Sequence, residues 1–450
     1  MAQHSKRPAS PRRPPAASAE LRAAQDASEL LRLLRQHERD ATRAKQKFEA
    51  FSDSRWRVSL GLLLKKKLIL SGHAGRPRKN GTVPLPRINA AYGHVVGIDI
   101  GGSNLRLALA DLNGRMIAKW STTTKRTSSP EMVIERIRTG VHDLLEQAGI
   151  RRRSLLAAAA GAPGVTNRDA GIVFATSYLK GWRDVPFGRL LSAALQVPTA
   201  IENDVRLAAI GEHSEGAARG IPDFVFLAIG TGIGAGIFVN GRLLHGPDWV
   251  AGEVGYLLVP GVPHAPASRG SPGALESAIG GEGIRQRWLR FQKSRNNGQA
   301  YDLSATGIFY QALTGDRRSR AILEGTARIL AYAIYNISTI LNSSLFVLGG
   351  GVGTNGPLLA ETRRILVRYT QPSQPKLVAS ALGPEAQLVG AIRLALDVAE
   401  ARIDKDILRI SGRSSAPAGP LGADAFEFAP ARLRHNEANE QQRDDAHASV

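Results

Sequence analysis

The sequence predicts a duplicated α/β fold, two lobes of one construction with a cleft between them, preceded by a short basic helical head. Three observations predict it. An apolar, β-branched run followed by a glycine turn, a hairpin and a helix begins at 94 and begins again at about 224. Glycine-rich turns end three such runs, "DIGG", "GTGIGAG" and "GGGVG", spread over 250 residues of chain. The charge is also uneven: residues 1–80 hold 19 Lys and Arg against 7 Asp and Glu, a net of +12 out of +20 for all 450 residues. That length suits two to four domains whose cores need no covalent staple.

The head comes first. Residues 1–20, with prolines at 8, 11, 14 and 15 among Ala, Ser and Arg, carry too little apolar surface to order themselves and read as a flexible basic tail. Asp26 is expected to cap a helix carrying Leu30, Leu31, Leu33 and Leu34; a second helical stretch runs to about Phe51 and a third from Asp53 to Lys66. The stretch 71–89, rich in Gly, Pro and basic residues, reads as a turn or wing followed by a linker.

The first lobe opens with "HVVGIDI" (94–100), and the turn at Asn113-Gly114 sets two more strands antiparallel to it. Ser129-Pro130-Glu131 then starts a helix, Ser as cap and Pro at its first position, with Val133, Ile134, Ile137, Val141, Leu144 and Leu145 along one face. A strand through "LLAAAAGAPG" follows. The second lobe repeats the pattern in "FVFLAIG", "TGIGAG", "IFVNGRLL", a helix at about 318–342 and "LFVLGGGVG". The polar, Gly/Pro/Ala-rich segment from about 411 is predicted to be disordered.

Composition removes several classes of function. Without cysteine there is no disulfide framework, thiolate zinc site, iron–sulfur cluster or cysteine nucleophile. No apolar run of about 18 residues and no apolar segment behind the basic N-terminus predict a soluble, cytoplasmic protein without a membrane partner. A pI near 10.6 suggests an anionic partner, nucleic acid ahead of membrane.

Four motifs can carry chemistry. In "DIGGSNLR" (99–106), Asp99 can hold magnesium through water while the amides of Gly101, Gly102 and Ser103 face phosphate oxygens; a tight turn needing positive φ uses the same glycines. Gly230, Thr231 and Gly232 repeat the device. Gly349 and Gly350, opening "GGGVG", leave room for a flat adenosine face. In "IENDVRLAAIGE" (201–212), Asn203-Asp204 stands between a strand and a helix, so Asp204 sits at a mouth, as helix cap, as general base toward a sugar hydroxyl, or as both.

"VVGIDIGGSNLRLALADLNG", "GAPGV", "GWRDVPFGRLL", "VPTAIENDVRLAAIGE", "LAIGTGIGAGIFVNGRLLHG", "AGEVGY" and "LGPEAQLVGA", in this order, resemble the ROK family of bacterial sugar kinases and sugar-responsive repressors. The resemblance covers about residues 90–400. It implies an actin-like (ribonuclease-H-like) ATPase-domain fold, with sugar in the cleft and, in kinases, MgATP beside it. It also implies that Asn203, Asp204, Glu253 and Glu276 meet sugar hydroxyls, where vicinal hydroxyls suit carboxylate acceptors. Where the family places a sugar-contacting Asn and His, this chain has Tyr178 and Tyr256. The family's structural zinc uses that His and three cysteines; the four positions here are Tyr256, Ala267, Arg269 and Ala274, so no zinc is expected and packing is expected to hold the loop.

More loosely, residues 26–89 resemble the winged helix-turn-helix of ROK regulators. That likeness implies that Ser52, Ser54, Arg55, Arg57 and Ser59 face DNA, that Arg55 and Arg57 read guanine edges, that Lys65, Lys66 and Lys67 meet phosphates, and that Arg76 and Arg78 enter the minor groove. The expected organisation is a disordered basic tail at 1–25, a winged helix-turn-helix at 26–80, a linker at 81–92, a two-lobed sugar-binding, kinase-like domain at 93–405 and a disordered tail at 411–450. The expected function is a sugar-responsive transcriptional regulator, a repressor that binds operator DNA as a homodimer or homotetramer. The alternative is an ATP-dependent hexose kinase with Asp204 as base.

Overall fold

The computed structural model describes residues 16–39, 48, 51–70, 85–124, 128–175, 179, 181–263, 272–293, 303–369 and 374–409. The expected tail at 411–450 lies outside them, as do Arg76, Arg78, Tyr178, Ala267 and Arg269.

The head consists of α1 (Ala16–Arg39) and α2 (Asp53–Lys65). Asp26 lies inside α1 instead of capping it, and residues 16–25, expected in a disordered tail, are helical; Ala24 and Ala27 are buried, so the apolar face starts before the leucine run. Ser52 caps α2, its hydroxyl accepting from the Arg55 amide at 3.3 Å. Phe48, Phe51, Trp56 and Leu63 join Leu30, Leu31 and Leu34 in one core. Beyond α2 the chain pairs with the segment entering the first lobe: Leu70 N donates to Arg87 O (2.8 Å), Asn89 N to Leu68 O (3.0 Å), and Ile69 faces Ile88 in an antiparallel bridge.

The first lobe begins with β1 (His94–Ile100), β2 (Asn104–Asp111) and β3 (Met116–Thr123), the antiparallel opening expected from sequence. Then come α3 (Pro130–Gln147), whose cap Ser129 accepts from Met132 N, β4 (Leu155–Ala162), the short strands β5 (Val165–Asn167), β6 (Ile172–Ala175) and β7 (Arg183–Val185), α4 (Phe187–Leu195) and β8 (Thr199–Asn203). The main sheet runs β3-β2-β1-β4-β8, with β4 parallel to β1 and to β8. β5, β6 and β7 form a separate antiparallel sheet that the sequence pattern did not announce.

After α5 (Asp204–Glu215) the second lobe repeats the scheme with β9 (Phe224–Ile229), β10 (Ile233–Val239) and β11 (Arg242–Leu243), then α6 (Ala274–Ile279), α7 (Gly281–Lys293), α8 (Ala305–Leu313) and α9 (Arg317–Leu341). β12 (Leu345–Gly349), α10 (Gly350–Gly353), α11 (Gly356–Leu366) and β13 (Lys376–Ala379) complete it, and α12 (Ala386–Arg409) returns to the sheet of the first lobe. The sheet order of the second lobe, β11-β10-β9-β12-β13, matches the first lobe position for position, three antiparallel strands followed by two parallel ones. The duplication expected from sequence is therefore a duplication of topology.

Alternation along β1 sorts the layers: Val96, Ile98 and Ile100 join α3 and α4 in one core, while Val95 faces α12 and the head. α12 also packs along α5, which lies on the sheet of the second lobe, so these two helices join the lobes. They touch backbone to backbone: a Cβ on Gly390 would lie 1.8 Å from Leu207 O, and one on Gly211 2.3 Å from Ala386 O. The outer side of α12 carries the head. Ser28 Oγ donates to Asp404 Oδ1 (2.7 Å), Arg35 meets Glu400 (3.5 Å), and Ile403 and Ile407 share a core with Leu30 and Phe51.

Candidate functional site

The floor of the cleft is made where parallel strands end and a helix begins, the usual ligand position in such sheets. Asp99, near the end of β1, sits in register with Arg106 on β2; Arg106 Nε (2.9 Å) and Nη2 (2.6 Å) both donate to its Oδ2, while Nη1 donates to Pro384 O (2.7 Å) just before α12. Burial raises the Asp99 carboxyl above the ordinary range, and Arg106 opposes the rise. At the end of β8, Asn203 rather than Asp204 is the cap of α5: its Oδ1 accepts from Arg206 N (3.0 Å), and its Nδ2 donates to Gly164 O (3.0 Å) and Asp204 Oδ1 (3.1 Å). Asp204 Oδ1 also accepts from Val205 N (2.9 Å), which leaves its other oxygen available. Desolvation first, then the charges of Asp99 and Glu253, push the Asp204 carboxyl up to about 7. A carboxylate there is suited to accept a proton near neutral pH.

The opposite wall carries Glu253, Tyr256 and Glu276. A short 3-10 turn, Val254–Tyr256, follows Glu253, and Glu276 in α6 accepts from Ile233 N with Oε2 (2.9 Å). Burial raises the Glu253 carboxyl, the nearby Glu276 adds to the rise and Arg206 opposes it. Tyr256 is half exposed, and its hydroxyl is raised by burial and by Glu253 and Glu276. The structure thus brings Asp99, Asp204, Glu253, Glu276 and Tyr256 near enough to bear on one another's charge, and Asn203 is hydrogen-bonded to Asp204.

The donor set of this wall does not fit the family's zinc: a phenol at Tyr256 and a methyl at Ala274 replace an imidazole and a thiolate, and the described residues contain no group of three His, Cys, Asp or Glu able to hold a metal. A Cβ on Gly273 would lie 2.2 Å from Gly255 O.

The glycine turns divide into two kinds. The Gly101 and Gly230 amides are spent inside their turns, on Asn104 O (2.8 Å) and Gly232 O (2.9 Å), whereas those of Gly102, Ser103, Thr231 and Gly232 donate to no acceptor among the described residues. Gly349 and Gly350 are glycine for packing: a Cβ would lie 2.2 Å from the Phe226 ring and 2.4 Å from Ile229 O, and Gly350 has φ +76. The open position in that turn is Gly351, with nothing within 4 Å. Residues fit to hold MgATP are thus Asp99 through its free oxygen, the Gly102–Ser103 and Thr231–Gly232 amides, and the Gly351 face.

On the head, Ser54, Arg57 and Lys65 are exposed together with Val58, Gly61 and Leu64, one stripe of α2. Two residues expected to face DNA are engaged elsewhere. Arg55 pairs with Asp26 (2.6 Å) and Glu29 (3.3 Å) of α1, and Ser59 is fully buried. Lys66 donates to Asp406 O (3.3 Å) and burial lowers its ammonium below the ordinary lysine range, so it too faces α12.

Sequence reasoning missed Glu202, Arg206, His245 and Trp249. Glu202 and Arg206 are buried; Glu202 accepts from Arg206 Nη1 (3.5 Å), from His245 Nε2 (2.8 Å) and from Asn203 N (2.9 Å). An ionisable pair at i and i+4, set across the strand–helix junction, was the available signal.

The profile of the ROK family matches residues 95–398. A glucokinase of Halalkalibacterium halodurans is 29% identical over 306 residues, covering 66% of this chain and 92% of that protein. A putative xylose repressor of Caldicellulosiruptor sp. is 24% identical and covers 74% of this chain and 86% of its own. A crystal structure of a ROK family transcriptional regulator, a homologue of the E. coli MLC protein, superposes with a TM-score of 0.71 at 20% identity, covering 86% of this chain and all of that one.

Proposed function

The chain belongs to the ROK family, with its actin-like α/β fold, and from that premise we propose that it is a sugar-responsive transcriptional regulator whose head binds operator DNA. One observation carries the reading: an additional helical head, with an exposed Ser54–Arg57–Lys65 stripe, is packed on α12, the helix that runs along the sugar cleft's own α5. The sequence matches support it, because the match to the putative xylose repressor extends over 74% of the chain whereas the glucokinase match stops at 66%.

The head is read as a winged helix-turn-helix. In that reading α2 lies in the major groove, where Arg57 meets a guanine edge and Lys65 a phosphate, and the antiparallel bridge of Ile69 with Ile88 is the base of the wing. The chain acts as a homodimer or homotetramer, two heads facing two half-sites. Sugar held by Asn203, Asp204, Glu253 and Glu276 favours the closed cleft, and α5 carries the change to α12 and so to the head. Anisotropy titration of the full chain with genomic promoter fragments, with and without a panel of hexoses and pentoses, tests this; no specific binding at moderate salt refutes it.

A second reading, an ATP-dependent hexose kinase, is favoured by one observation: at the β8–α5 junction Asp204 is held through Oδ1 by Asn203 Nδ2 and Val205 N, with its other oxygen available. MgATP, when bound, supplies the phosphoryl group. Asp204 takes the proton of the sugar hydroxyl and Asn203 holds its carboxylate in place. ADP release across a hexose panel, with Asp204→Ala as control, decides it.

A further inference from the structure

Trp249 has φ 62, the left-handed region that a bulky aromatic residue rarely enters. Such backbone persists only where its surroundings hold it. Here the holder is Arg206 of α5: Nη2 donates to Trp249 O (2.5 Å) and to Ala251 O (2.9 Å). On its other side Arg206 meets the buried Glu202, whose second oxygen accepts from His245 Nε2, and the His245 ring lies edge-on to Trp249 at 5.3 Å. The loop from 245 to 251 is therefore gripped at both ends from the β8–α5 junction.

The next residues leave no slack. Gly252 has φ +93, and a Cβ there would lie 2.0 Å from Ala235 O; Gly252 O accepts from Ala235 N (2.7 Å). Glu253 follows at once. At its backbone Arg206 is bound to the Asn203 side chain (3.0 Å), beside Asp204. One residue is thus tied by its main chain to one wall of the cleft and by its side chain to the other. An arginine serving only as a core ion pair would spend its best bonds on the carboxylate; this one spends them on two carbonyls of a strained loop.

We propose that Arg206 is the positioning residue of the cleft: by holding Trp249 in its left-handed conformation it fixes Glu253 across from Asp204 and so sets the affinity for sugar. The last clause rests on reading the cleft as the sugar site. Glu202 and His245 orient the guanidinium. Arg206 itself touches no sugar.

Hydrogen exchange of the full chain, read over 245–256, tests the loop without any ligand, and calorimetric titration with D-glucose and D-xylose tests the site. Arg206→Met is expected to speed exchange at 249–254 by about tenfold or more with β9 and β12 unchanged, and Arg206→Lys to stay near wild type. Trp249→Gly placed on Arg206→Met is expected to restore slow exchange, because glycine takes positive φ without strain. Affinity for whichever sugar binds should follow the same order. If Arg206→Met does not fold, Arg206→Gln, whose shorter amide cannot hold both carbonyls, replaces it, with the same outcomes expected and the same results overturning the proposal. Unchanged loop exchange in the Met variant, or faster exchange throughout the lobe with no benefit from lysine or from Trp249→Gly, overturns the proposal. If wild type binds neither sugar, the sugar reading is what fails, and loop exchange still decides whether Arg206 positions Glu253.

Discussion

Arg55 Nη2 stands 2.6 Å from Asp26 Oδ1, and the guanidinium lies 4.6 Å from the Phe51 ring centre. A residue whose type and place suggest base reading is thus a fastener between α1 and α2. Arg57, one residue pair further along α2, is exposed. The two should separate in experiment. Arg57→Ala is expected to weaken specific DNA binding by about tenfold or more with an unchanged melting temperature. Arg55→Ala is expected to cost about 0.5–1 kcal/mol of stability, a modest figure because the pair is partly solvated. Anisotropy and thermal melting of both variants check this.

Lys65 is expected to act on phosphate and Lys66 is not. Lys65→Ala should lower the slope of log affinity against log salt by about 1, without changing sequence preference. Lys66→Ala should leave that slope alone, because its ammonium is turned to the Asp406 carbonyl.

The Asp204 carboxyl gives stability a pH dependence of known sign. It is raised from 3.8 to about 7 in the folded chain, so between those values the folded state holds a proton that the unfolded state has released. Stability is fully present below about pH 4 and is lost as pH rises to about 7, by at most about 4 kcal/mol from this group. Asp204→Asn should flatten that part of the profile, and urea unfolding at pH 5 and pH 8 measures it. If the chain turns over a hexose, the rate should rise through the same interval, as the base ionises.

The close approach of α5 and α12 predicts a sharp contrast between glycines. Gly390→Ala would set a methyl 1.8 Å from Leu207 O, which only separation of the helices can relieve; a loss of about 3 kcal/mol or more is expected, and with it an altered response of DNA binding to sugar. Gly351→Ala, with open space around it, should leave the melting temperature within error. Calorimetric scans of the two variants make the comparison.

For the wall beside Tyr256, elemental analysis should find far less than one zinc per chain, and a chelator should leave the melting temperature unchanged. Stoichiometric zinc would mean that ligands outside the described residues close a site.

Much of this was legible because it is local. The Ser129 cap and Pro130 start of α3, the antiparallel opening at 94–123 and the Asn203-Asp204 junction each depend on residues close in sequence. What was not legible depends on partners far along the chain. Gly349 and Gly350 read as space for a nucleotide, but what requires glycine there is Phe226 and Ile229 on the neighbouring strand, which fill the places a side chain would take. Ser59 looked like a polar residue on a DNA face until the helix phase placed it inward with Trp56 and Leu63. Arg206 carried no signal of its role, since a left-handed tryptophan more than forty residues away cannot be seen in the α5 sequence.

Genome-wide mapping of binding sites, with the sugar supply varied, decides whether the cleft governs a DNA-binding head. If it does, the map shows a small set of discrete, two-fold symmetric sites whose occupancy changes with one sugar and disappears in Arg57→Ala. Diffuse, salt-sensitive association without discrete sites, in a chain that phosphorylates a hexose through Asp204, would contradict it.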